Sequence, residues 1–202
     1  MVHVVKVRSD AVRNQARILD VARDLVGRHG PAVSMDDIAR DADVAVGTLY
    51  RHFPTKAALV EAVVRDSVEQ LADAADAAAG RAESGASAGS ELEAMFRVVA
   101  ERHSTDAALK EAAAALGAKA PLADGTIDFE PEGPERRAYE AIVRLLGAAI
   151  DEGSVRPDLT VLDLLALVSG VPRDPMPVAV RERYVEVVLD GVRGPKARRR
   201  RG

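Results

Sequence analysis

The stretch SMDDIARDADVAVGTLYRHFPTK, residues 34–56, decides how the rest of the chain is read. Ser34 is a good N-cap, and Ser34-x-x-Asp37 has the form of a capping box, with a carboxylate near the positive end of the helix. Met35, Ile38, Ala39 and Ala42 then fall at helical spacing on one face. Asp43 and Val44 make a turn, where Asp tolerates a left-handed backbone better than most non-glycine residues. A second short helix follows over 46–52, with Leu49 and Phe53 inward and Val46, Gly47, Thr48, Tyr50, Arg51 and His52 outward. Pro54 stops it, and Thr55 can cap a further helix whose first turn carries Lys56.

This is the layout of a helix-turn-helix, in which the first helix braces the second and the second offers small and hydrogen-bonding side chains to the DNA major groove. The wording also resembles the signature of the TetR family of bacterial transcription regulators. The matching positions are Ile38, Ala39, Gly47, Thr48, Leu49, Tyr50, His52, Phe53 and Lys56. Two positions depart from that signature. Asp43 stands where a turn glycine is usual, and Ala45 stands where Ser is common as N-cap of the recognition helix. Each departure costs roughly 1 kcal/mol, so the recognition helix is expected to be looser than in a typical member.

Working outward, the chain has 202 residues, enough for one large domain or two small ones, with 48% hydrophobic and 30% charged residues. Alanine-rich runs and 3% aromatics favour helix over sheet. The absence of cysteine excludes disulfides, thiolate chemistry and cysteine-based zinc sites. The valine-rich start is broken by Lys6 and Arg8 and is too short for a signal peptide, and no run approaches the length of a membrane span, so a cytoplasmic protein is expected. Net charge is −4, unevenly spread. Residues 1–56 hold nine Lys and Arg against seven Asp, giving +2, and the remainder holds 19 basic against 25 acidic residues, giving −6. A mildly basic module on an acidic body suits a selective DNA binder better than a protein that coats nucleic acid.

The periodicity predicts an all-α chain of about nine helices. After a disordered segment over 1–9, the first helix runs from about 10 to 29, with Ile18, Val21, Ala22, Leu25 and Val26 inward and Gly30 and Pro31 beyond its end. The two short helices follow, then a long one to about 79, whose stripe is Leu59, Ala62, Val63, Leu71 and Ala75. GRAESGASAGS, residues 80–90, reads as a loop, with Ser90-x-x-Glu93 capping a helix to about 103. A sixth helix is expected over 104–117 and an irregular stretch over 118–133. Pro134 opens a central helix to 152, closed by Gly153, with Tyr139, Ile142, Val143, Leu145, Leu146, Ala149 and Ile150 apolar. Thr160-x-x-Asp163 caps a helix over about 161–171, and a last helix spans about 178–192 before a basic tail containing Arg198–Arg201, read as solvated. Two modules result: an N-terminal three-helix head over 1–56 and a larger helical body over 57–202. The body resembles the family's ligand-binding and dimerisation domain in layout and in the piece AAIDEGSVRPDLTVLDLLALVSGV, residues 148–171.

Several outward side chains can meet DNA. The resemblance implies that the Tyr50 hydroxyl bonds a phosphate, against a plain packing role. Thr48 can reach a phosphate, a base edge or a thymine methyl; Gly47 permits close approach; Val46 can make only apolar contact. Arg51 reaches guanine or, in the preferred reading, phosphate, and His52 either donates to a phosphate or packs as a neutral ring. Lys56 is expected to clamp a phosphate, and Ser34 marks another helix N-terminus able to face one. In the body, Met95, Phe96, His103 and Tyr139 are candidates for a ligand pocket, although any helical core would contain such residues. Leu164, Leu165, Val168, Tyr184, Val188 and Leu189 form stripes on the last two helices that, by resemblance, meet their copies across a two-fold axis; otherwise they pack within one chain. His3, His29, His52 and His103 are scattered without metal spacing, no cofactor is implied, and no side-chain arrangement suggests a nucleophile with its base.

The resemblance therefore implies a non-enzymatic, ligand-responsive repressor that binds a palindromic operator as a homodimer, with half-sites about 34 Å apart. A small-molecule effector would enter the body and move the long fourth helix, so that the heads lose the half-site spacing. Its rivals are an activator, a dimer that binds DNA without an inducer, and a helical protein-interaction module that keeps a degenerate head.

Overall fold

The computed structural model describes residues 2–29, 33–105, 133–172 and 176–194. Its elements are α1 (Val2–His29), α2 (Met35–Asp41), α3 (Val46–His52), α4 (Lys56–Glu83), α5 (Ala88–Thr105), α6 (Pro134–Glu152), α7 (Val161–Ser169) and α8 (Val178–Val192). Among the described residues the chain is thus all-α, and the only extended pairing is an isolated bridge between Val155 and Arg193. The sixth helix expected over 104–117 lies outside the described residues from 106 on, as do the stretch 118–132, the Gly30–Pro31 stop and the Arg198–Arg201 tail.

Three boundaries differ from expectation. Helix α1 begins at Val2 rather than near residue 10. No proline or glycine interrupts residues 2–26, so a helix nucleated by the buried stripe propagates back through the segment read as disordered. Helix α4 runs on to Glu83, because Arg81, Ala82 and Glu83 are good helix formers and the turn waits for Ser84 and Gly85 (φ 104°). Helix α5 starts at Ala88, two residues before the expected cap at Ser90. The Ser87 hydroxyl accepts from the Ser90 N–H at 3.3 Å, so Ser87 takes the capping role.

The chain divides into two compact units inside α4, after Ser67. The division expected at 56 falls earlier because Leu59 and Val63 still belong to the first unit's core, and an unbroken helix carries no compositional mark of the change. That core joins Ile18, Ala22 and Leu25 of α1 to Ile38 and Ala39 of α2, Leu49 of α3, Phe53, and Leu59 and Val63 of α4. Arg23 of α1 ties into α4 through the Asp66 carboxylate and, at 3.2 Å, the buried Ser67 hydroxyl.

In the second unit α6 packs along α5, and Leu145, Leu146, Ala141 and Ala149 are buried there. Val143, counted among the central residues of this helix, is 43% exposed. It lies about 100° around the helix from Ile142, which carries it out of the buried sector. Helix α7 begins at a full capping box: the Thr160 hydroxyl accepts from the Asp163 N–H at 3.2 Å, and the Asp163 carboxylate accepts from the Thr160 N–H at 2.8 Å. The Thr160 hydroxyl, donating to the Asp163 carboxylate at 2.7 Å, and then the Thr160 N–H hold the Asp163 carboxyl below the usual carboxylate range.

The C-terminal end of α8 is locked against the turn after α6. Gly153 ends α6 with φ 76°, the Arg156 N–H donates to the Val192 carbonyl at 3.0 Å, and the Gly194 N–H donates to the Ser154 carbonyl at 2.8 Å. A Cβ at Gly194 would sit 2.6 Å from the Gly153 carbonyl oxygen and 2.7 Å from that of Val155, both backbone atoms that cannot swing away. Gly194→Ala is therefore expected to lower stability by about 1–3 kcal/mol, seen as a drop in thermal midpoint. An unchanged midpoint would show that this close backbone packing is not needed.

Candidate nucleic-acid interface

The first unit builds its exposed face from a short local sequence with few long-range supports. The Ser34 hydroxyl accepts from the Asp37 N–H at 3.1 Å and donates to the Asp37 carboxylate at 2.6 Å. Its single proton is thereby engaged in the cap, so any phosphate contact at this helix start would come from backbone N–H groups. Hydrogen bonds from Ser34 and then Arg40 hold the exposed Asp37 carboxyl below its ordinary range.

Asp43 adopts φ 50°, the left-handed conformation expected of it, and its carbonyl accepts from the Arg17 guanidinium at 3.0 Å. Arg17 also lies 3.9 Å from the Asp43 carboxylate. Nothing in the local sequence marks Arg17 for this role, since it stands 26 residues away. Helix α3 starts at Ala45, which supplies no side-chain cap. Asp43→Gly and Ala45→Ser are each expected to raise stability by about 1 kcal/mol, the first by relieving the left-handed backbone and the second by giving the Gly47 N–H in the first turn of α3 a side-chain acceptor. Chemical denaturation of the two single variants checks this, and unchanged midpoints contradict it.

From that start, α3 turns Leu49 fully inward and presents the opposite side to solvent. Val46 is 41% and Tyr50 46% exposed, one helical turn apart on the same side of α3. Gly47 is exposed, with open space around the position of a Cβ, so a second backbone can approach there. Thr48 is half-buried, and Arg51 is exposed with its Nε 3.4 Å from the Gly47 carbonyl. His52 is half-buried with its ring tilted 40° to that of Phe53 at a centroid distance of 6.2 Å, a packing contact that leaves part of the imidazole at the surface. The Lys56 ammonium donates to the Val33 carbonyl, which fastens the start of α4 to the approach to α2. Thr55 caps α4 through the Ala58 N–H at 3.1 Å. Val46, Gly47, Tyr50 and Arg51 thus share one exposed face, with Thr48, His52 and Lys56 partly sunk at its edges.

The residues picked out in the second unit do not assemble in the same way. Met95 borders an open groove between α4 and α5, whereas Phe96 lines a separate pocket with Leu92, Leu164 and Val188. His103 is buried and Tyr139 half-buried, and neither lines these two hollows. Met95 and Phe96 thus border different hollows, because neighbours in sequence on a helix point about 100° apart. On the last two helices, Leu164, Val168, Val188 and Leu189 are buried in the unit's own core. That placement corresponds to the within-chain alternative for these four. Leu165 and Tyr184 are only partly covered, and the Tyr184 hydroxyl donates to the Leu167 carbonyl at 2.8 Å, joining α8 to α7. The large apolar side chains that α8 does expose are Val178, Val180 and Val187.

Two family profiles match the chain: bacterial regulatory proteins of the tetR family over residues 18–63, and the C-terminal domain of SbtR-like transcriptional regulators over residues 92–194. The structure is similar to the crystal structure of a TetR transcription regulatory protein from Mycobacterium vanbaalenii. The TM-score is 0.66 at 36% identity, over 93% of this chain and 99% of that one. By sequence the chain is 44% identical over 68 residues to the HTH-type transcriptional regulator SAR0097 of Staphylococcus aureus, covering 33% of this chain and 36% of that protein. It is 41% identical over 73 residues to the HTH-type transcriptional repressor KstR of Mycolicibacterium smegmatis, covering 35% of this chain and 36% of that protein. These two matches span about a third of the length of either relative.

Proposed function

The chain belongs to the TetR family of bacterial regulatory proteins, and from that premise we propose that it is a repressor that binds a palindromic operator as a homodimer and is released by a small molecule. The observation that carries the DNA-binding half is the α3 face, where Val46 and Tyr50 stand exposed on either side of an open Gly47 above a core anchored by Leu49. A major groove accepts such a helix: glycine lets the backbone approach, Val46 meets a thymine methyl, and Tyr50, Arg51 and Lys56 reach phosphate oxygens. The mildly basic charge of residues 1–56 favours the approach. Repression is the sign carried by the KstR relative.

A second copy of the chain supplies the second head. The face proposed for it is the outward side of α8, where Val180, Tyr184, Val187 and Gly191 recur at helical spacing, beside the partly covered Leu165 of α7. Two such pairs of helices bury these groups across a two-fold axis. Val187, 54% exposed, is not needed by the fold of one chain. Val187→Asp should leave the helical content unchanged and convert a dimer into a monomer in sedimentation, whereas a variant that sediments like the parent contradicts this face. Helix α4 has residues in both units and is the element proposed to carry the effector's influence from the second unit to the first.

Gel-shift titration with promoter DNA adjoining the gene tests the reading at low salt. Saturable binding that weakens on Tyr50→Phe and on Lys56→Ala supports it; absence of binding to any such duplex opposes it.

A further inference from the structure

Where the N-terminal end of α5 meets the turn after α6 and the end of α8, the second unit holds an open pocket of about 260 Å³. It is smaller than the range of about 300–1,000 Å³ that takes drug-sized ligands, so its occupant is small. The wall is apolar, formed by Leu92, Phe96, Leu164, Val188 and Leu189. Its charged groups are Glu93, Glu152 and Arg193.

These charges are not equivalent. Arg193 has only 12% of its side chain exposed and is paired with Asp190 and, at 3.2 Å, with both oxygens of Glu93. Glu93 is also bonded to Arg97 at 2.9 Å, and Arg97 in turn to Glu186 at 2.6 Å. Their charges are therefore met within the protein. Glu152 differs. Its carboxylate accepts from the Gly89 N–H at 3.0 Å and, in competition with the Ala149 carbonyl, from the Ser154 hydroxyl at 3.1 Å, with the Ser87 hydroxyl and the Ala88 N–H also bonded to it. All these donors are neutral, and no cation among the described residues is paired with it. The donors hold the carboxyl below its ordinary range, with burial opposing, so it is ionised at neutral pH.

We propose that this pocket binds a small organic cation, an ammonium group on a short apolar body, with the body against Leu92, Phe96 and Val188 and the ammonium against the Glu152 carboxylate. An anion would meet the Glu152 and Glu93 carboxylates while Arg193, the one cation lining the pocket, is already taken. A neutral amphiphile would gain the apolar wall and nothing from the charge. The backbone N–H of Gly89 fixes the carboxylate in place, so its position does not depend on the ligand. The site depends on the second unit alone and stands whether or not the chain binds DNA.

The test uses the full chain and three probes of equal length, n-hexylammonium, 1-hexanol and hexanoate, titrated at neutral pH by calorimetry. Hexylammonium should bind about tenfold more tightly than hexanol, and hexanoate should give no saturable heat up to about 10 mM. Glu152→Gln keeps an oxygen to accept from Gly89 and removes the charge. It should retain the parent's thermal midpoint within about 2 °C and bind hexylammonium no more tightly than hexanol. Failure of hexylammonium to saturate, equal binding of hexanoate, or an unchanged affinity in Glu152→Gln overturns the proposal.

Discussion

Val46→Glu should abolish DNA binding while leaving the protein as stable as before, or slightly more so. Val46 is the first residue of α3, is 41% exposed, and belongs to a first turn with no acidic side chain. A carboxylate there faces the positive end of the helix dipole, worth about 0.3–1 kcal/mol in favour of folding. It also compensates in part for the missing cap at Ala45. Against DNA the same carboxylate opposes the phosphates and replaces the apolar contact proposed for Val46. Like-charge juxtaposition at an interface costs several kcal/mol, so an affinity loss of about 100-fold or more, roughly 3 kcal/mol, is expected. Fluorescence anisotropy with promoter DNA and thermal denaturation of the same preparation read the two effects separately. A variant that keeps its affinity shows that this face does not meet DNA.

Leu49→Ala should damage both properties together. Leu49 is fully buried and is the only residue of α3 itself that is, packed in one cluster with Ile18, Ile38 and Phe53. Truncating such a side chain removes its transfer free energy and leaves a cavity, a loss of about 2–5 kcal/mol. Because α3 is seven residues long and uncapped at Ala45, it has little intrinsic stability to fall back on. The first unit should melt at lower denaturant concentration, and operator affinity should fall with it. A variant of unchanged midpoint contradicts the packing described for this helix. Set beside Val46→Glu, it separates loss of the helix from loss of its contact face.

The head was legible because its signals are local. Ser34 and Asp37 lie within one turn, Asp43 carries the turn in the left-handed region, and Leu49 and Phe53 have the spacing of one buried side. The supports of that head were not legible. Arg17 reaches the Asp43 carbonyl and Lys56 the Val33 carbonyl across 26 and 23 residues, and a side chain that bonds a backbone atom leaves no pairing pattern in the sequence. Helix ends moved where a better cap or a run of good helix formers lay a few residues away, as with Ser87 against Ser90 and with the last turn of α4. In the second unit, periodicity told that Leu164, Val168, Val188 and Leu189 are covered, and could not tell by what; the structure covers them with their own chain. Large size sets Met95 and Phe96 apart in the sequence but carries no direction, and the helix sends them to different hollows. Glu152 stands at a helix end in the sequence, and its lack of a cationic partner among the described residues is visible only once the chain is folded.

Operator binding as proposed requires two α3 faces, one from each of two chains, in the groove of a single duplex. Sedimentation of the protein with a duplex selected from promoter DNA tests this most directly. The expected result is a complex containing two chains per duplex for the parent protein and free duplex only for Val46→Glu. One chain per duplex, or a Val46→Glu complex indistinguishable from the parent's, would contradict it.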